Sequence, residues 1–484
     1  MERLKLAPDL EISRLITGLW QIADMERGGT DVDPVIASAE MARYVDAGLT
    51  TFDMADHYGS AEVIAGHLDQ RRPGVAQLFT KWVPKPGAIT AAESREAVER
   101  ALTRMQRQRL DLLQFHAWNY ADPSYLDGLA HLRALREEGL IAHLGLTNVD
   151  SAHLKLLLES GIPIAANQIC YSLLDQRARG RMTKVCEAHG VKILAFGTLA
   201  GGFLTDRWLG KDEPTELQTW SQMKYKRFID QAGGWSVFQQ LLAVLDDIAR
   251  RLGVSIANVA TRAILDAPSV GGVIVGARLG QSAHIEDNLR IFETALDESA
   301  RSALNEALEA FTPIPGDCGD EYRKPPFLTA SGDLSHHLER FPAPFEIERS
   351  ADGRTRALSG TVWEDLAGFS RAIRVGDRVL VSGTTATHRD ERIGGTDPYA
   401  QAVFCLDKIE GAIQTLGGTI DDVIRTRIYV ADKSIWEPVS RAHGERFVTV
   451  RPANTLVQAE LIGEGYLVEM EAEAVISDGA SRAF

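Results

Sequence analysis

Eight short apolar runs, each followed by a stretch with helical periodicity, constrain the fold of this chain more than any other feature. The helical stretches include Ala92–Met105, Tyr125–Glu138, Ala152–Ser160 and Arg179–His189. Because strand and helix alternate through the first 276 residues, the pattern predicts an α/β fold whose eight parallel strands close into a (β/α)8 TIM barrel. The predicted strands are Leu15–Trp20, Thr50–Asp53, Leu78–Trp82, Leu110–His116, Ala142–Thr147, Ile164–Cys170, Lys192–Phe196 and Gly271–Val275.

Four polar residues lie at or just beyond the ends of three of these strands: Asp53, Tyr58, Lys81 and His116. Strand ends of this kind assemble the active sites of (β/α)8 barrels. A lysine ammonium favours a neighbouring tyrosine phenolate, a carboxylate keeps that ammonium charged, and a histidine can orient a carbonyl. The set can move a proton to or from an oxygen while a hydride is transferred. Since none of the four can supply the hydride, a nicotinamide cofactor is implied.

The same residues resemble the aldo-keto reductase family. The family's Asp-x-Ala-x-x-Tyr-Gly pattern occupies residues 53–59, its lysine appears in Thr80-Lys81-Trp82 and its histidine in Phe115-His116. The resemblance implies that Tyr58 is the general acid/base, that Lys81 lowers its pKa, that Asp53 holds the lysine and that His116 orients the carbonyl. It implies an aldehyde, ketone or sugar-like carbonyl or alcohol as the substrate.

The resemblance also implies a cofactor site along the later strands. Residues 147–148 match the family's grip on the nicotinamide carboxamide, an aromatic at 196 its stacking partner, and residues 197–202 its pyrophosphate loop. The stretches 275–278 and 286–288 match the region that holds the adenosine 2′-phosphate and the adenine. The implied cofactor residues are Trp20, Thr147, Asn148, Gln168, Phe196, Gly197, Leu199, Gly201, Gly276, Arg278, Asp287 and Asn288.

Two departures bear on the choice of cofactor. Leu279 follows Arg278 where many members carry a small hydroxyl residue, and His284 stands where others have Arg or Gln. We therefore expect NADP(H) and leave NAD(H) open. Three aromatic side chains are expected to wall the substrate pocket, namely Trp82, Trp118 and Tyr120. The segment 201–234 is either a lid over the mouth or a packed surface loop.

A second domain follows a proline-rich stretch. We predict the barrel with its C-terminal extension over residues 1–338, a linker over 339–345 and a smaller α+β domain over 346–484. In that domain we predict strands at 378–383, 422–430, 455–462 and 466–476, the last two forming a closing pair. Helices are predicted at 398–416 and 435–447, on one side of the sheet.

The second domain resembles the RidA (YjgF) family, whose fold is chorismate-mutase-like. The segments that carry the resemblance are 368–372, 381–384, 425–430 and 468–472. It implies a homo-oligomer, with a trimer favoured, and ligand clefts between subunits. The family's carboxylate-binding arginine is replaced by Asn454, whereas its glutamate is kept as Glu469. We expect a cleft near Asn454, Glu469 and Arg427 with a binding or assembly role.

Composition limits the other possibilities. The net charge of −15 argues against nucleic-acid or anionic-membrane partners. The four cysteines form no Cys-x-x-Cys pair, so we predict no metal site and a reducing, cytoplasmic location. The N-terminus lacks the apolar core of a signal peptide.

Two alternatives stay open at this point. One is an imine or enamine hydrolase that works through the C-terminal domain with an auxiliary barrel. The other is a non-enzymatic nicotinamide-binding scaffold or sensor. The complete set of four catalytic residues argues against the scaffold, and the missing arginine at position 454 argues against the hydrolase.

Overall fold

The first domain is a closed barrel of eight parallel strands in chain order. The computed structural model describes residues 1–281, 284–329 and 341–476. The last barrel strand pairs with the first, which closes the sheet. The predicted (β/α)8 fold is confirmed. The strands are β3 (Leu15–Gly18), β4 (Thr51–Asp53), β5 (Gln77–Trp82), β6 (Leu110–His116), β7 (Ile141–Thr147), β8 (Ile164–Cys170), β9 (Lys192–Phe196) and β10 (Val270–Gly276).

Helices surround the barrel, and polar caps begin several of them. Asp33, Thr90, Asp150, Ser255 and Asp297 each accept a backbone N–H in the first turn of a helix. The helices are α1 (Trp20–Arg27), α2 (Pro34–Asp46), α3 (Ala61–Arg71), α4 (Ala91–Met105), α5 (Ser124–Glu137), α6 (Ser151–Glu159), α7 (Thr183–His189), α8 (Trp220–Gln231), α9 (Trp235–Leu252), α10 (Ile256–Leu265), α11 (Ile285–Leu289) and α12 (Glu298–Glu309).

An N-terminal hairpin, which the sequence pattern did not predict, closes one end of the barrel. Its strands are β1 (Arg3–Ala7) and β2 (Leu10–Ser13), and they pair antiparallel. Apolar side chains of the hairpin form one buried cluster with Phe79, Leu112 and Leu194 from the early parts of barrel strands. Because this end is filled with apolar side chains, a polar site can form only at the opposite, carboxyl end of the strands.

The second domain is a seven-stranded sheet with its long helices on one face. The strand order is β11-β12-β13-β14-β19-β17-β18. The elements are β11 (Glu346–Arg349), β12 (Thr355–Leu358), α13 (Val362–Ala367), β13 (Ala372–Val375), β14 (Arg378–Thr385), a two-stranded ribbon of β15 (Thr387–His388) and β16 (Glu391–Arg392), α14 (Pro398–Thr415), β17 (Val423–Val430), α15 (Trp436–Arg446), β18 (Ala453–Gln458) and β19 (Val468–Val475).

The prediction that the last two strands pair with each other is wrong. Strand β18 pairs parallel with β17 at the sheet edge, whereas β19 lies between β14 and β17 and pairs antiparallel with both. The helix α15 crosses over between β17 and β18, and such a crossover returns the chain in the parallel direction. The central place of β19 agrees with its strictly alternating burial.

The two domains pack tightly along α14. This helix is buried over almost its whole length because one side faces the sheet and the other faces α6 of the barrel. A Cβ added at Gly411 would lie 2.2 Å from the Ala121 carbonyl oxygen. At the other end of the helix, Lys155 Nζ lies 2.6 Å from Asp397 Oδ2. The barrel and the second domain are therefore held in one arrangement by close packing.

The predicted domain boundaries fall partly outside the described residues. Residues 330–340, which include the predicted barrel end at 338 and the start of the linker, lie outside the described residues, as do residues 477–484. Across the described part of the chain, no helix combines the length and apolarity needed to cross a membrane.

Candidate active site

Three of the four predicted catalytic residues meet at the ends of β4 and β5. Lys81 Nζ donates to Asp53 Oδ2 at 2.6 Å and to the Met54 carbonyl oxygen at 2.8 Å. The same ammonium lies 4.9 Å from the ring centroid of Tyr58, which follows β4 in a turn before α3. Asp53 and Lys81 are both buried. A buried lysine that is paired with a carboxylate beside a tyrosine ring is the arrangement that proton transfer by the phenol needs.

His116 ends β6, the strand next to the one that carries Lys81. Burial, together with the charge of Arg323, holds the pKa of His116 well below its ordinary value. The ring is therefore neutral at neutral pH, and its Nε2 atom is buried without a hydrogen-bond partner in the described structure. A neutral imidazole with one free nitrogen can orient a substrate oxygen without adding a charge.

Burial lowers the pKa of Lys81, while the carboxylate of Asp53 opposes that shift. Asp53 is in turn held by two amides. Gln114 Nε2 and Gln168 Nε2 donate to Asp53 Oδ1 at 3.0 and 2.7 Å. Sequence analysis assigned Gln168 to the nicotinamide and missed Gln114. In the structure both side chains fix the carboxylate that positions the lysine.

Aromatic side chains surround Tyr58 and His116. The Trp20 ring lies edge-on to Tyr58 at 5.0 Å, and its Nε1 donates to Ser221 Oγ at 3.1 Å. The Trp118 ring lies edge-on to His116 at 4.5 Å, and its Nε1 donates to the Pro84 carbonyl at 2.7 Å. The remaining predicted wall residue on this side, Trp82, packs edge-on against Phe115 at 5.7 Å.

Tyr120 is held by stacking and by a hydrogen bond. Its ring stacks on His153 at 3.5 Å between centroids, and the guanidinium of Arg323 lies 4.5 Å from its centroid. Its hydroxyl oxygen accepts the Asp150 backbone N–H at 3.3 Å. Tyr120 therefore packs against His153 of α6 and Arg323 of the C-terminal extension, and its role as a wall of the substrate pocket stays a prediction.

Unpartnered polar atoms mark the cofactor side of the barrel mouth. The acceptor Asn148 Oδ1 and the hydroxyl Thr198 Oγ1 are buried without a partner, as are Gln21 Oε1 and Asp24 Oδ1, within the described residues. Buried polar atoms of this kind are normally hydrogen-bonded. Their positions after β3, β7 and β9 suit the amide, hydroxyl and phosphate groups of a nicotinamide dinucleotide, so the residues present fit that cofactor.

The predicted pyrophosphate loop packs under α8. A Cβ at Gly197 would lie 2.2 Å from the Tyr225 hydroxyl, and one at Gly201 would lie 2.8 Å from the Ser221 carbonyl oxygen. Both glycines also have positive φ angles, 76° and 64°. Leu199 is partly buried in the same turn. Glycine is thus required at positions 197 and 201 because α8 covers the loop.

The adenosine side is polar and partly engaged within the chain. Arg278 is half-buried near Asp24. Burial raises the pKa of Asp24, and the charge of Arg278 offsets part of that rise. Asp287 accepts from Ser255 Oγ and Asn258 Nδ2 at 3.1 and 2.9 Å. Asn288 lies beside it on α11, and Gly276 at the end of β10 faces the Gln21 side chain.

Residues from the C-terminal extension reach the mouth. The Tyr322 ring lies 5.9 Å from the His116 ring. Arg323 donates to the carbonyl oxygens of Ala117, Asn148 and Gly319. Since Ala117 follows His116 and Asn148 follows Thr147, this guanidinium joins the loops after β6 and β7, which carry the predicted catalytic histidine and the predicted carboxamide-binding pair.

The three residues predicted for one cleft in the second domain do not share a face of the sheet. Asn454 Nδ2 donates to Thr426 Oγ1 at 2.9 Å, on the face covered by the helices. Arg427 bonds to Glu471 on the opposite face, where Glu469 also lies. Neighbours in a strand point to opposite faces, and Asn454 is in register with Thr426, not with Arg427. Within one chain Glu469 and Arg427 therefore share a face that Asn454 does not, and the cleft between subunits stays a prediction.

Comparison with known proteins identifies the barrel. The model of the aldo/keto reductase family matches residues 14–309, more than half of the chain. The chain belongs to the aldo/keto reductase family. It is 24% identical over 311 residues to the chloroplastic pyridoxal reductase of Arabidopsis thaliana, covering 60% of this chain and 80% of that protein. The glycerol dehydrogenase of Gluconobacter oxydans is 22% identical, covers 64% of this chain and 95% of its own, and has a TM-score of 0.52, a likeness of fold.

The second domain matches another family model, Endoribonuclease L-PSP, over residues 363–476. A solved member of the YjgF/YER057c/UK114 family from Mycobacterium tuberculosis is 41% identical, with 26% of this chain and all of that chain covered and a TM-score of 0.24. The predicted fusion of an aldo/keto reductase barrel with a RidA-like domain is thus confirmed.

The aldo/keto reductase barrel is an oxidoreductase domain of a kind that uses nicotinamide cofactors. Its supporting residues Gln114 and Arg323 were missed for different reasons. Gln114 stands two positions before His116 on β6, so the alternation of the strand could have placed it inside the barrel. Arg323 lies 206 residues from Ala117 in the chain, and no local pattern predicts such a contact.

Proposed function

We propose that this protein is an NADP(H)-dependent reductase of an aldehyde, ketone or sugar-like carbonyl, or a dehydrogenase that oxidises the matching alcohol with NADP⁺. The observation that carries the proposal is the buried Asp53–Lys81 pair under the Tyr58 ring. The Nε2 atom of His116 supports it, because this atom has no hydrogen-bond partner in the described residues and can donate a hydrogen bond to a substrate oxygen. A scaffold that only bound a nicotinamide would need none of these groups.

Each residue has a defined part in the reaction. The carbonyl oxygen accepts hydrogen bonds from the Tyr58 hydroxyl and from the neutral His116 ring. Tyr58 gives its proton to that oxygen as charge develops, and the nearby Lys81 ammonium stabilises the phenolate that remains. Asp53 keeps the ammonium in place. A nicotinamide, when bound beside Phe196 and Asn148, supplies the hydride.

The proposal is tested with the full-length protein and a panel of aldehydes, ketones and sugars. The loss of NADPH absorbance at 340 nm (the standard wavelength) is followed with each carbonyl, and NADP⁺ is supplied with the matching alcohols. We expect turnover on several carbonyls in the usual enzyme range of about 1–10³ s⁻¹ for the best one. No turnover on the whole panel, with the cofactor demonstrably bound, would favour the scaffold or sensor instead.

Arg278 is expected to make NADPH bind more tightly than NADH. A guanidinium on the 2′-phosphate is a charge-assisted contact worth roughly 1.5–3 kcal/mol. Arg278→Ala should therefore weaken NADPH binding by roughly ten- to a hundredfold and leave NADH nearly unchanged. Fluorescence titration with both cofactors measures this, and Arg301→Ala, on the remote helix α12, is the control. Equal affinities of wild type for the two cofactors would contradict the expectation.

The second domain is proposed to have a binding or assembly role, and the full chain is proposed to be a trimer. Among the described residues, one face of its sheet is uncovered and carries the exposed apolar side chains of Leu380 and Val457 together with Arg427 and Glu469. Such a face is suited to contact another copy. Imino-acid hydrolysis is not proposed, because the amide of Asn454 cannot copy an arginine fork and its side chain is bonded to Thr426.

Light scattering on the full-length protein tests the assembly. We expect three times the chain mass of 53.0 kDa. Leu380→Glu, on the open face, should shift the protein to smaller species, whereas Val362→Glu, at an exposed position of α13, should not. A monomeric wild-type chain would rule the trimer out.

The compartment is also a proposal. All four cysteines are buried thiols without a disulfide. Buried free thiols are typical of proteins from reducing compartments. We therefore propose a cytoplasmic location.

A further inference from the structure

A second lysine–tyrosine pair faces the active site from the other side of the barrel mouth. Lys224, on α8, donates from Nζ to the Tyr322 hydroxyl at 2.5 Å. Tyr322 comes from the C-terminal extension, and its ring lies 5.9 Å from that of His116. The pair is therefore one aromatic ring away from the atom that orients the substrate carbonyl.

The surroundings of Lys224 stabilise a positive charge away from water. The side chain is 7% exposed. Its ammonium lies 4.5 Å from the ring centroid of Tyr322, 5.1 Å from that of Phe196 and 5.8 Å from that of Tyr225. Aromatic faces attract cations, and the attraction grows when water is excluded.

The placement relative to Phe196 connects the ammonium with the reacting end of the barrel. Phe196 ends β9, on the side where the nicotinamide is proposed to stack, and His116 ends β6. A substrate whose carbonyl lies between Tyr58 and His116 must extend toward the open mouth, since the other end of the barrel is filled by the hairpin. Tyr322 lies next to His116 at this end of the barrel, and the Lys224 ammonium is bonded to its hydroxyl.

We propose that Lys224 and Tyr322 bind an anionic group, a carboxylate or a phosphate, on the part of the substrate remote from its carbonyl. The substrate class is then an anionic aldehyde or ketone. A buried ammonium and a phenol hydroxyl together offer a charge and a hydrogen bond to such a group. The proposal rests on the proposed reductase function and names the substrates of that same site.

The test compares substrates that differ only in charge. For a carboxylate the pair is 4-carboxybenzaldehyde and its neutral methyl ester, and for a phosphate it is glyceraldehyde 3-phosphate and glyceraldehyde. The wild type should prefer the anionic member of at least one pair, and the pair that shows the preference identifies the source of the charge. A wild type that prefers neither anionic member would overturn the proposal.

Variants of the pair separate substrate recognition from structure. Lys224→Met should lower kcat/KM for the preferred anionic substrate by roughly ten- to a hundredfold, mainly through KM, and change the neutral partner by less than about threefold. Lys224→Arg should recover most of the loss, and Tyr322→Phe should give a smaller loss of the same kind. The control is Lys226→Met, two positions along α8, where the ammonium is already paired with Glu213 and Asp230.

A cofactor role for Lys224 gives a different result. If its charge served the pyrophosphate, Lys224→Met would weaken NADPH binding and lower turnover of charged and neutral substrates alike, and that outcome would refute the proposal. Turnover of the neutral carbonyls reports separately on the reductase function. If no carbonyl turns over, binding still tests the proposal. The dissociation constant of 4-carboxybenzaldehyde is then measured by tryptophan fluorescence, with and without NADP⁺. Weaker binding in Lys224→Met than in Lys226→Met supports the anion site, and equal binding refutes it.

Discussion

Tyr58→Phe should lower kcat by roughly 10²- to 10⁴-fold, the usual contribution of a general acid. The substitution removes one hydroxyl and leaves the ring, so the 5.0 Å contact with Trp20 and the position over the Lys81 ammonium are kept. Asp53 and Lys81 remain paired through their own 2.6 Å contact. The carbonyl oxygen then keeps its hydrogen bond from His116 but has no acid to protonate it. The negative charge that develops on this oxygen is therefore not neutralised.

Steady-state kinetics on the best carbonyl of the panel measure this effect, and a titration measures NADPH binding. Cofactor affinity should stay near the wild-type value, since the unpartnered atoms proposed to hold the cofactor belong to other residues. Tyr44→Phe, which removes a buried phenol hydroxyl on α2 away from the site, is the control and should keep full activity. Activity of Tyr58→Phe above about a tenth of wild type would show that another group protonates the oxygen.

The barrel could be predicted because its strands are short, apolar and separated by helices. The strands Leu110–His116, Ile164–Cys170 and Lys192–Phe196 agree with the sequence expectation at both ends. Polar residues at strand ends stand out against apolar neighbours, which is why Asp53, Lys81 and His116 could be proposed as catalytic residues together with the strands. The N-terminal hairpin was missed because its strands alternate charged and apolar residues over only four or five positions.

The parts of the site that depend on distant segments could not be predicted. Lys224 and Tyr322 are 98 positions apart, and one of them lies in the stretch that follows the last barrel helix. Their meeting depends on how α8 and the C-terminal extension pack over the mouth. Local periodicity carries no information about such packing, whereas a motif such as residues 53–59 carries its geometry within one turn.

The contact between the domains also could not be predicted from the sequence. The helix α14 has the pattern of a surface helix with one apolar face, yet it is buried on both sides. The second face of α14 is polar. It can be buried against the barrel because positively charged side chains of α6 pair with carboxylates of α14 and of its N-cap residue. His153 of α6 is the centre of that match: Nδ1 lies 2.8 Å from Asp150 and Nε2 lies 3.0 Å from Asp407 of α14.

His153 is therefore expected to be a main determinant of domain docking. Burial alone would lower its pKa, but the carboxylates of Asp150 and Asp407 raise the pKa to about 9. Both ring nitrogens face carboxylates, so the ring is an imidazolium that links the two domains. His153→Gln removes the cation between two buried carboxylates, and breaking a buried ion pair in this way typically costs about 3–5 kcal/mol.

The pH dependence follows from the raised pKa. A histidine in the unfolded chain titrates near ~6.5, so the stabilisation by His153 is fully present below that pH and falls as the pH rises through about 9. The pKa of Asp150 is lowered, since the charge of His153 outweighs its burial, so its own contribution is lost in acid, below the ordinary carboxylate range near ~3.9. Wild type and His153→Gln should thus differ most between about pH 5 and 6.5 and converge toward pH 9.5.

Urea unfolding at pH 6, 8 and 9.5 measures that difference, and an exposed ion pair of the same interface supplies the control. Arg389, which is 71% exposed, bonds to Asp127 of α5. Exposed pairs contribute about 0–1 kcal/mol because water screens them, so Arg389→Gln should change the midpoint little and equally at all three pH values. Equal losses in the two variants, or a loss in His153→Gln that does not shrink with rising pH, would mean that packing along α14 holds the domains together without the buried charges. A loss of stability that is confined to His153→Gln and is largest at pH 6 would mean that the protonated ring of His153 stabilises the packing of the reductase barrel against the second domain.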